Sequence, residues 1–195
     1  MKIIGITGGV GAGKSEVLSL IEKMTRCVIV KADDLARSLE AKGEVCFDPL
    51  VKLLGRDVLD SDGEIDSRKM AAKIFADGNG DLRAGVNSIV HPAVKRRIKD
   101  MIKDARKGGY DHFFIEAALL IEDHYDKIVD ELWYVYADED IRRIRLKESR
   151  GYSDEKIDGI MTSQSSDETF RKYCKVVIDN SGSITDTKEQ IKQYL

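Results

Sequence analysis

A lysine, a serine and a set of glycines stand near the N-terminus in a spacing that suits phosphate. Gly8-Gly9-Val10-Gly11-Ala12-Gly13-Lys14-Ser15 fits G-x-x-x-x-G-K-[ST]. Glycines let the backbone approach an anion with no Cβ in the way. Loop amides and the N-terminus of a following helix then point at phosphate oxygens. Lys14 adds a mobile positive charge for β and γ phosphates, and Ser15 puts a hydroxyl where Mg²⁺ must sit. The stretch predicts a nucleotide site in which Gly9, Gly11, Ala12, Gly13, Lys14, Ser15 and Glu16 contact the nucleotide and Ser15 binds the metal.

Further along, single residues admit two readings each. Asp33 follows a short apolar run and opens a helix. It is either a helix N-cap or a carboxylate that takes the proton of an attacking hydroxyl. Glu116 ends the most apolar run, Phe113-Phe114-Ile115. It is either a solvated strand-end charge or an acid near Mg²⁺ or the acceptor. His91, before Pro92, is a packed histidine beside a proline-induced break or an acceptor contact. Arg142, Arg143, Arg145 and Arg150 crowd one helical stretch that is acidic at its start and basic at its end. They form a solvated helix end or a lid over phosphates, with Arg143 and Arg150 as the lid candidates. Arg142 and Arg145 point elsewhere than Arg143 on an ideal helix. Asn180 and Gly182 form a turn after the last apolar run.

The elements that must position these groups alternate. Short apolar runs at residues 3–7, 27–30, 112–116, 131–136 and 175–179 read as strands, with helical patterns between them. This predicts an α/β fold with a five-stranded parallel sheet flanked by helices. The second and third strands lie too far apart for one crossover. The interval 34–109 is therefore expected to be a helical insertion, broken at Gly43, Pro49, residues 60–63 and residues 77–80. Residues 1–33 and 110–195 form the expected nucleotide-binding core, with a lid at about 138–165. Helices are expected at 153–163, 167–173 and 185–195.

The totals exclude several classes. Of 195 residues, 42% are hydrophobic and 34% charged, as in a globular protein, and a net charge of −3 exerts no general pull on nucleic acid. Three scattered cysteines without a C-x-x-C argue against a disulfide framework or a zinc site and suit a reducing cytoplasm. There is no signal-peptide pattern and no apolar run of the ~20 residues that a membrane span needs. Neither nucleic acid nor membrane is an expected partner, and oligomeric state is not legible.

Taken together, these segments resemble the dephospho-coenzyme A kinase family nearly end to end. The resemblance is carried by Gly5 to Ser15, Ala32-Asp33-Asp34-Leu35-Ala36-Arg37, Leu54-Gly55, Asp62-Gly63-Glu64-Ile65-Asp66 with Phe75, Val86-Asn87-Ser88-Ile89-Val90-His91-Pro92, Leu119-Leu120-Ile121-Glu122 and Val177 to Gly182. The His-Pro stretch is the most distinctive of these. The resemblance implies a P-loop kinase, related in fold to the nucleoside monophosphate kinases, with a coenzyme A-binding insertion and a lid. It implies transfer of the ATP γ-phosphoryl group to the ribose 3′-hydroxyl of dephospho-coenzyme A, the last step of coenzyme A biosynthesis, with Mg²⁺. It further implies that Asp33 is the base, that Arg37, His91, Glu116 and Leu119 lie near the acceptor with Asp33, and that Asn180 lies near the adenine.

Two rivals remain in view. Another small-molecule kinase on the same fold is disfavoured by the His-Pro stretch and the long insertion. A nucleotide-binding protein without catalysis is supported only by departures from the family pattern at Lys31 and Glu116, and is opposed by intact Lys14, Ser15 and Asp33; the pattern is also departed from at Ser67 and at Ala117-Ala118. A switch GTPase lacks its guanine-reading Asn-Lys-x-Asp segment.

Overall fold

The computed structural model describes residues 1–76 and 78–195. Asp77, part of the break expected at 77–80, lies outside the described residues. The chain divides into two compact units, one of Met1–Val30 and Ala105–Leu195, the other of Lys31–Asp104.

The first unit is built around β1 (Lys2–Thr7), whose Ile3, Ile4 and Ile6 are buried. A strand apolar on both faces belongs in the middle of a parallel sheet covered by helices. The sheet order is β2 (Cys27–Lys31), β3 (His112–Glu116), β1, β4 (Glu131–Tyr136), β5 (Val176–Asp179). The pairs β1–β3, β1–β4 and β4–β5 are parallel. Parallel register gathers the strands' C-terminal ends on one edge: Ile6 pairs with Glu116, Thr7 with Tyr134 and Tyr136 with Asp179. That edge is where open α/β sheets bind ligands.

Helices α1 (Lys14–Glu22) and α9 (Ile184–Tyr194) pack on the sheet, and Val17, Ile21, Trp133, Val135, Ile178 and Ile191 share one core. A capping box of Ser183 and Asp186 starts α9. Between β4 and β5 run α6 (Glu139–Arg150), α7 (Asp154–Thr162) and α8 (Asp167–Tyr173), with Ser153 and Ser166 capping the last two. All three cysteines are free thiols, and burial pushes the Cys174 thiol up to about 12.

The second unit is helical, with α2 (Ala32–Glu40), α3 (Phe47–Leu54) and α4 (Ser67–Ile74), followed by the long α5 (Gly80–Lys107). Two expectations about proline are corrected here. Pro49 does not break the chain but sits in the first turn of α3. The N–H that proline lacks there would have had no intrahelical partner. Pro92 lies inside the 28-residue α5, which runs through it. One lost bond is outweighed by a helix of which Val86, Val90, Val94, Ile98 and Ile102 are buried at helical spacing.

Candidate active site

The phosphate loop lies at the C-terminal end of β1, between Thr7 and Lys14. Gly13 caps α1 with φ 90° and ψ 27°, and no side chain caps that helix. The left-handed backbone turns the loop into the helix. It also leaves the first amides of α1 for an anion rather than for a Ser or Asp side chain. Lys14 folds back over the loop: Nζ donates to the Gly8 carbonyl at 2.8 Å and stands 3.8 Å from Glu116 Oε1. Both side chains are mostly buried, 14% and 17% exposed, so the pair is less screened than a surface ion pair. The register that puts Glu116 beside Ile6 brings it to the loop.

The helices after β4 reach the loop, though with other arginines than expected. Arg142 Nε donates to the Val10 carbonyl at 2.9 Å, and Arg145 Nη1 lies 3.5 Å from the Ala12 carbonyl. Arg142, Arg145 and buried Leu146 share one face of α6 by helical spacing, and that face meets the loop. Arg143 falls on another face. It forms ion pairs with Glu139 and Asp158, at 2.7 and 2.6 Å, and these hold its pKa above the ordinary value. Arg150 is exposed, with its guanidinium 5.9 Å from the Tyr152 ring. Thus the loop is met by Arg142 and Arg145, not by Arg143 and Arg150. Gln164, just beyond α7, is a further loop contact that sequence reasoning missed: its Oε1 accepts from the Val10 amide at 3.1 Å. Nothing in its local sequence marks it.

Asn180 is also drawn to the loop. It is 2% exposed. Its Nδ2 donates to the Ala12 carbonyl at 3.0 Å and to Glu16 Oε2 at 3.3 Å, while Oδ1 accepts from Thr187. Ser15 and Glu16 are exposed at the start of α1.

In the second unit Asp33 is exposed in the first turn of α2, one residue inside its start. The N-cap is Lys31, and no side chain caps the helix, so capping is not what Asp33 does. Arg37 is exposed and 3.5 Å from Asp34. His91 is half-buried in α5. Leu119, in the first unit, is 52% exposed. Within the second unit a cavity of about 410 Å³ is lined by Leu39, Val45, Pro49, Ile89 and Ala93, with Arg96 and Arg97.

Metal-binding capacity at the loop is limited to hard oxygens. No group of three or more His, Cys, Asp or Glu that could hold a metal ion occurs among the described residues. A serine hydroxyl and one carboxylate nearby suit Mg²⁺, which keeps several waters and takes its remaining ligands from phosphates.

A parallel sheet with a glycine loop, Lys14 and Ser15 at the head of a helix, and an arginine-bearing helical arm defines a P-loop kinase. The family model for dephospho-CoA kinase matches residues 2–186. Curated dephospho-CoA kinases of Carboxydothermus hydrogenoformans and Corynebacterium diphtheriae are each 35% identical over 195 residues, covering 100% of this chain and 93% and 96% of theirs. Among solved structures, TT1252 from Thermus thermophilus aligns with a TM-score of 0.83 at 26% identity, over 99% of this chain and 95% of its own. A dephospho-CoA kinase from Campylobacter jejuni, 16% identical with a TM-score of 0.64 over 99% of this chain and 95% of that one, shares the fold. The chain belongs to the dephospho-CoA kinase family, the enzymes that use ATP to phosphorylate dephospho-CoA in the last step of coenzyme A biosynthesis. Among the described residues no helix is long and apolar enough to cross a membrane.

Proposed function

We propose that the chain carries out this reaction on the ribose 3′-hydroxyl with Lys14, Ser15 and Asp33 as its principal groups. The observation that carries the reading is the assembled loop: an uncapped α1 behind left-handed Gly13, with Lys14 Nζ turned back over the Gly8 carbonyl beside Glu116. An entering β,γ-diphosphate replaces carbonyl oxygens as the partner of Lys14 and takes up the amides of residues 11–15. Ser15 and Glu116 would hold Mg²⁺, which when bound offsets charge on the transferring phosphoryl group. Asp33 accepts the proton of the 3′-hydroxyl and fixes a lone pair toward phosphorus. Positioning matters more than basicity in a loose transition state. Arg142 and Arg145 brace the loop from α6.

Residues 34–109 are the acceptor-binding part in this reading, and Arg37, His91, Glu116 and Leu119 are its proposed acceptor contacts. The cavity supports it, because its apolar wall of Leu39, Val45, Ile89 and Ala93 suits the neutral arm of dephospho-CoA, and Arg96 stands on the same lining beside Asp100 and the Glu44-paired Arg97. A cytoplasmic location fits three free thiols.

An assay of ADP release from ATP tests this, with dephospho-CoA set against a panel of nucleoside monophosphates. Phosphorylation of dephospho-CoA at its 3′-hydroxyl is expected, and Lys14→Ala is expected to lower turnover by ~10²–10³, the scale of one lost charge-stabilising donor. Preference for a nucleoside monophosphate sinks the reading.

A further inference from the structure

Both backbone polar groups of Val10, which lie in two successive peptides, are held by side chains of the α6–α7 arm. The N–H donates to Gln164 Oε1 at 3.1 Å, and the carbonyl accepts from Arg142 Nε at 2.9 Å. Arg142 Nη2 donates to the same Gln164 oxygen at 3.1 Å, which closes a ring of three residues. Arg142 comes from α6, and Gln164 stands two residues past α7, so the ring ties both helices to the loop. The guanidinium lies so close to Gly9 that a Cβ there would come 2.6 Å from Arg142 Cζ.

We propose that Gln164 and Arg142 are positioning residues for nucleotide binding. They fix the two peptides that flank Val10 and thereby the path of Gly11 to Ser15, whose amides and side chains meet the phosphates. A loop that binds anions must keep its N–H groups toward the ligand and its carbonyls turned away. Each N–H shares its peptide plane with the carbonyl of the residue before it, so turning one plane reverses those two groups together. Gln164 holds the N–H of the Gly9–Val10 peptide and Arg142 holds the carbonyl of the Val10–Gly11 peptide, so neither plane can turn without breaking a hydrogen bond. The loop then needs less ordering when the nucleotide arrives, which favours affinity. Movement of the arm that withdraws either side chain frees Val10, so arm position and nucleotide affinity are coupled.

Both roles presuppose that the loop binds ATP, and direct titration of the purified chain with ATP separates the two claims. Gln164→Leu keeps the bulk but accepts no hydrogen bond. It is expected to weaken ATP binding about tenfold, the scale of one or two lost hydrogen bonds, while KM for dephospho-CoA stays within about twofold. Gln164→Glu retains acceptors for Val10 and Arg142 and is expected to restore ATP affinity. Arg142→Lys keeps the charge but not the fork that spans two acceptors, and it is expected to lose ATP affinity as Gln164→Leu does, which serves should the leucine variant not fold. Unchanged ATP affinity in Gln164→Leu and Arg142→Lys overturns the assignment. So does a parallel fall in affinity for both substrates and in Tm that Gln164→Glu does not reverse, since that is the mark of a structural role. If the unaltered chain binds no ATP, the reading of the loop fails and this one falls with it.

Discussion

Asn180 Nδ2 donates to the carbonyl of Ala12 across 168 residues of sequence, at 3.0 Å and out of contact with water. The turn after the last strand therefore holds the phosphate loop from behind. The Gly13 α-carbon leaves just enough room for that amide, since a Cβ there would overlap Asn180 Nδ2. Asn180→Ala strands a buried acceptor at Ala12 and removes the Oδ1 acceptor of buried Thr187. We expect a loss of about 2–3 kcal/mol in unfolding free energy, with weaker ATP binding. Asn180→Asp is expected to be worse at neutral pH, because its oxygen faces the Ala12 carbonyl and Glu16 Oε2. Urea unfolding beside ATP titration checks both, and an Asn180→Asp variant as stable as the parent would contradict the hydrogen-bond assignment.

Asp33 can be tested without the usual ambiguity of a helix start. It lies inside α2, and Lys31 is the N-cap with no side-chain bond to the helix. Asp33→Asn removes only a first-turn charge, worth about 0.3–1 kcal/mol of helix stabilisation. Turnover is expected to fall ~10²–10⁴ with ATP affinity little changed. Thermal melting and steady-state kinetics on the same preparation are sufficient. Turnover within a few-fold of the parent would remove Asp33 from the chemistry.

The arginines of α6 divide by face. Arg145 donates to the Asn180 carbonyl at 2.9 Å and approaches the Ala12 carbonyl, so Arg145→Ala is expected to lower kcat/KM for ATP about tenfold, as one charged hydrogen bond amounts to. Arg143 is taken up by Glu139 and Asp158. Its replacement by alanine is expected to leave turnover within about threefold, the range of most surface changes. The reverse ranking in a side-by-side assay would mean that α6 turns its Arg143 face to the nucleotide during turnover.

Glu131 sets an acid limit on stability far from the chemistry. It begins β4, at the end of the sheet away from the loop, with its side chain 4% exposed. Burial alone would raise its pKa, but hydrogen bonds from Lys2, Trp133 and Lys175 outweigh that and hold it at about 2. A carboxylate depressed on folding stabilises the native state above its unfolded pKa of about 4.3, and that contribution disappears as pH falls toward 2. The shift corresponds to about 3 kcal/mol at most. Glu131→Gln is expected to lower stability at pH 7 and to flatten its decline between about pH 4.5 and 2. Denaturant melts across that range would show the parent and variant converging in acid, and parallel curves would dismiss the role.

Much of this protein is written in local sequence. The loop of residues 8–15 is legible because phosphate binding needs small residues at set spacing within a few bonds of Lys14 and Ser15. The strands are legible because a buried parallel strand is apolar throughout, as Phe113, Phe114 and Ile115 are. Proline is read less well. Pro49 and Pro92 look like breaks, yet both lie within helices, because a first turn needs no N–H from Pro49 and burial of one long face carries α5 through Pro92. Only tertiary structure decided which arginines meet the loop, and that Gln164 and Asn180 hold it. Spacing along α6 shows that Arg142 and Arg143 point apart, but not which of them faces Val10. That choice depends on how the α6–α7 arm packs against the phosphate loop more than a hundred residues earlier, through contacts such as Arg142 to Val10 that no local pattern encodes.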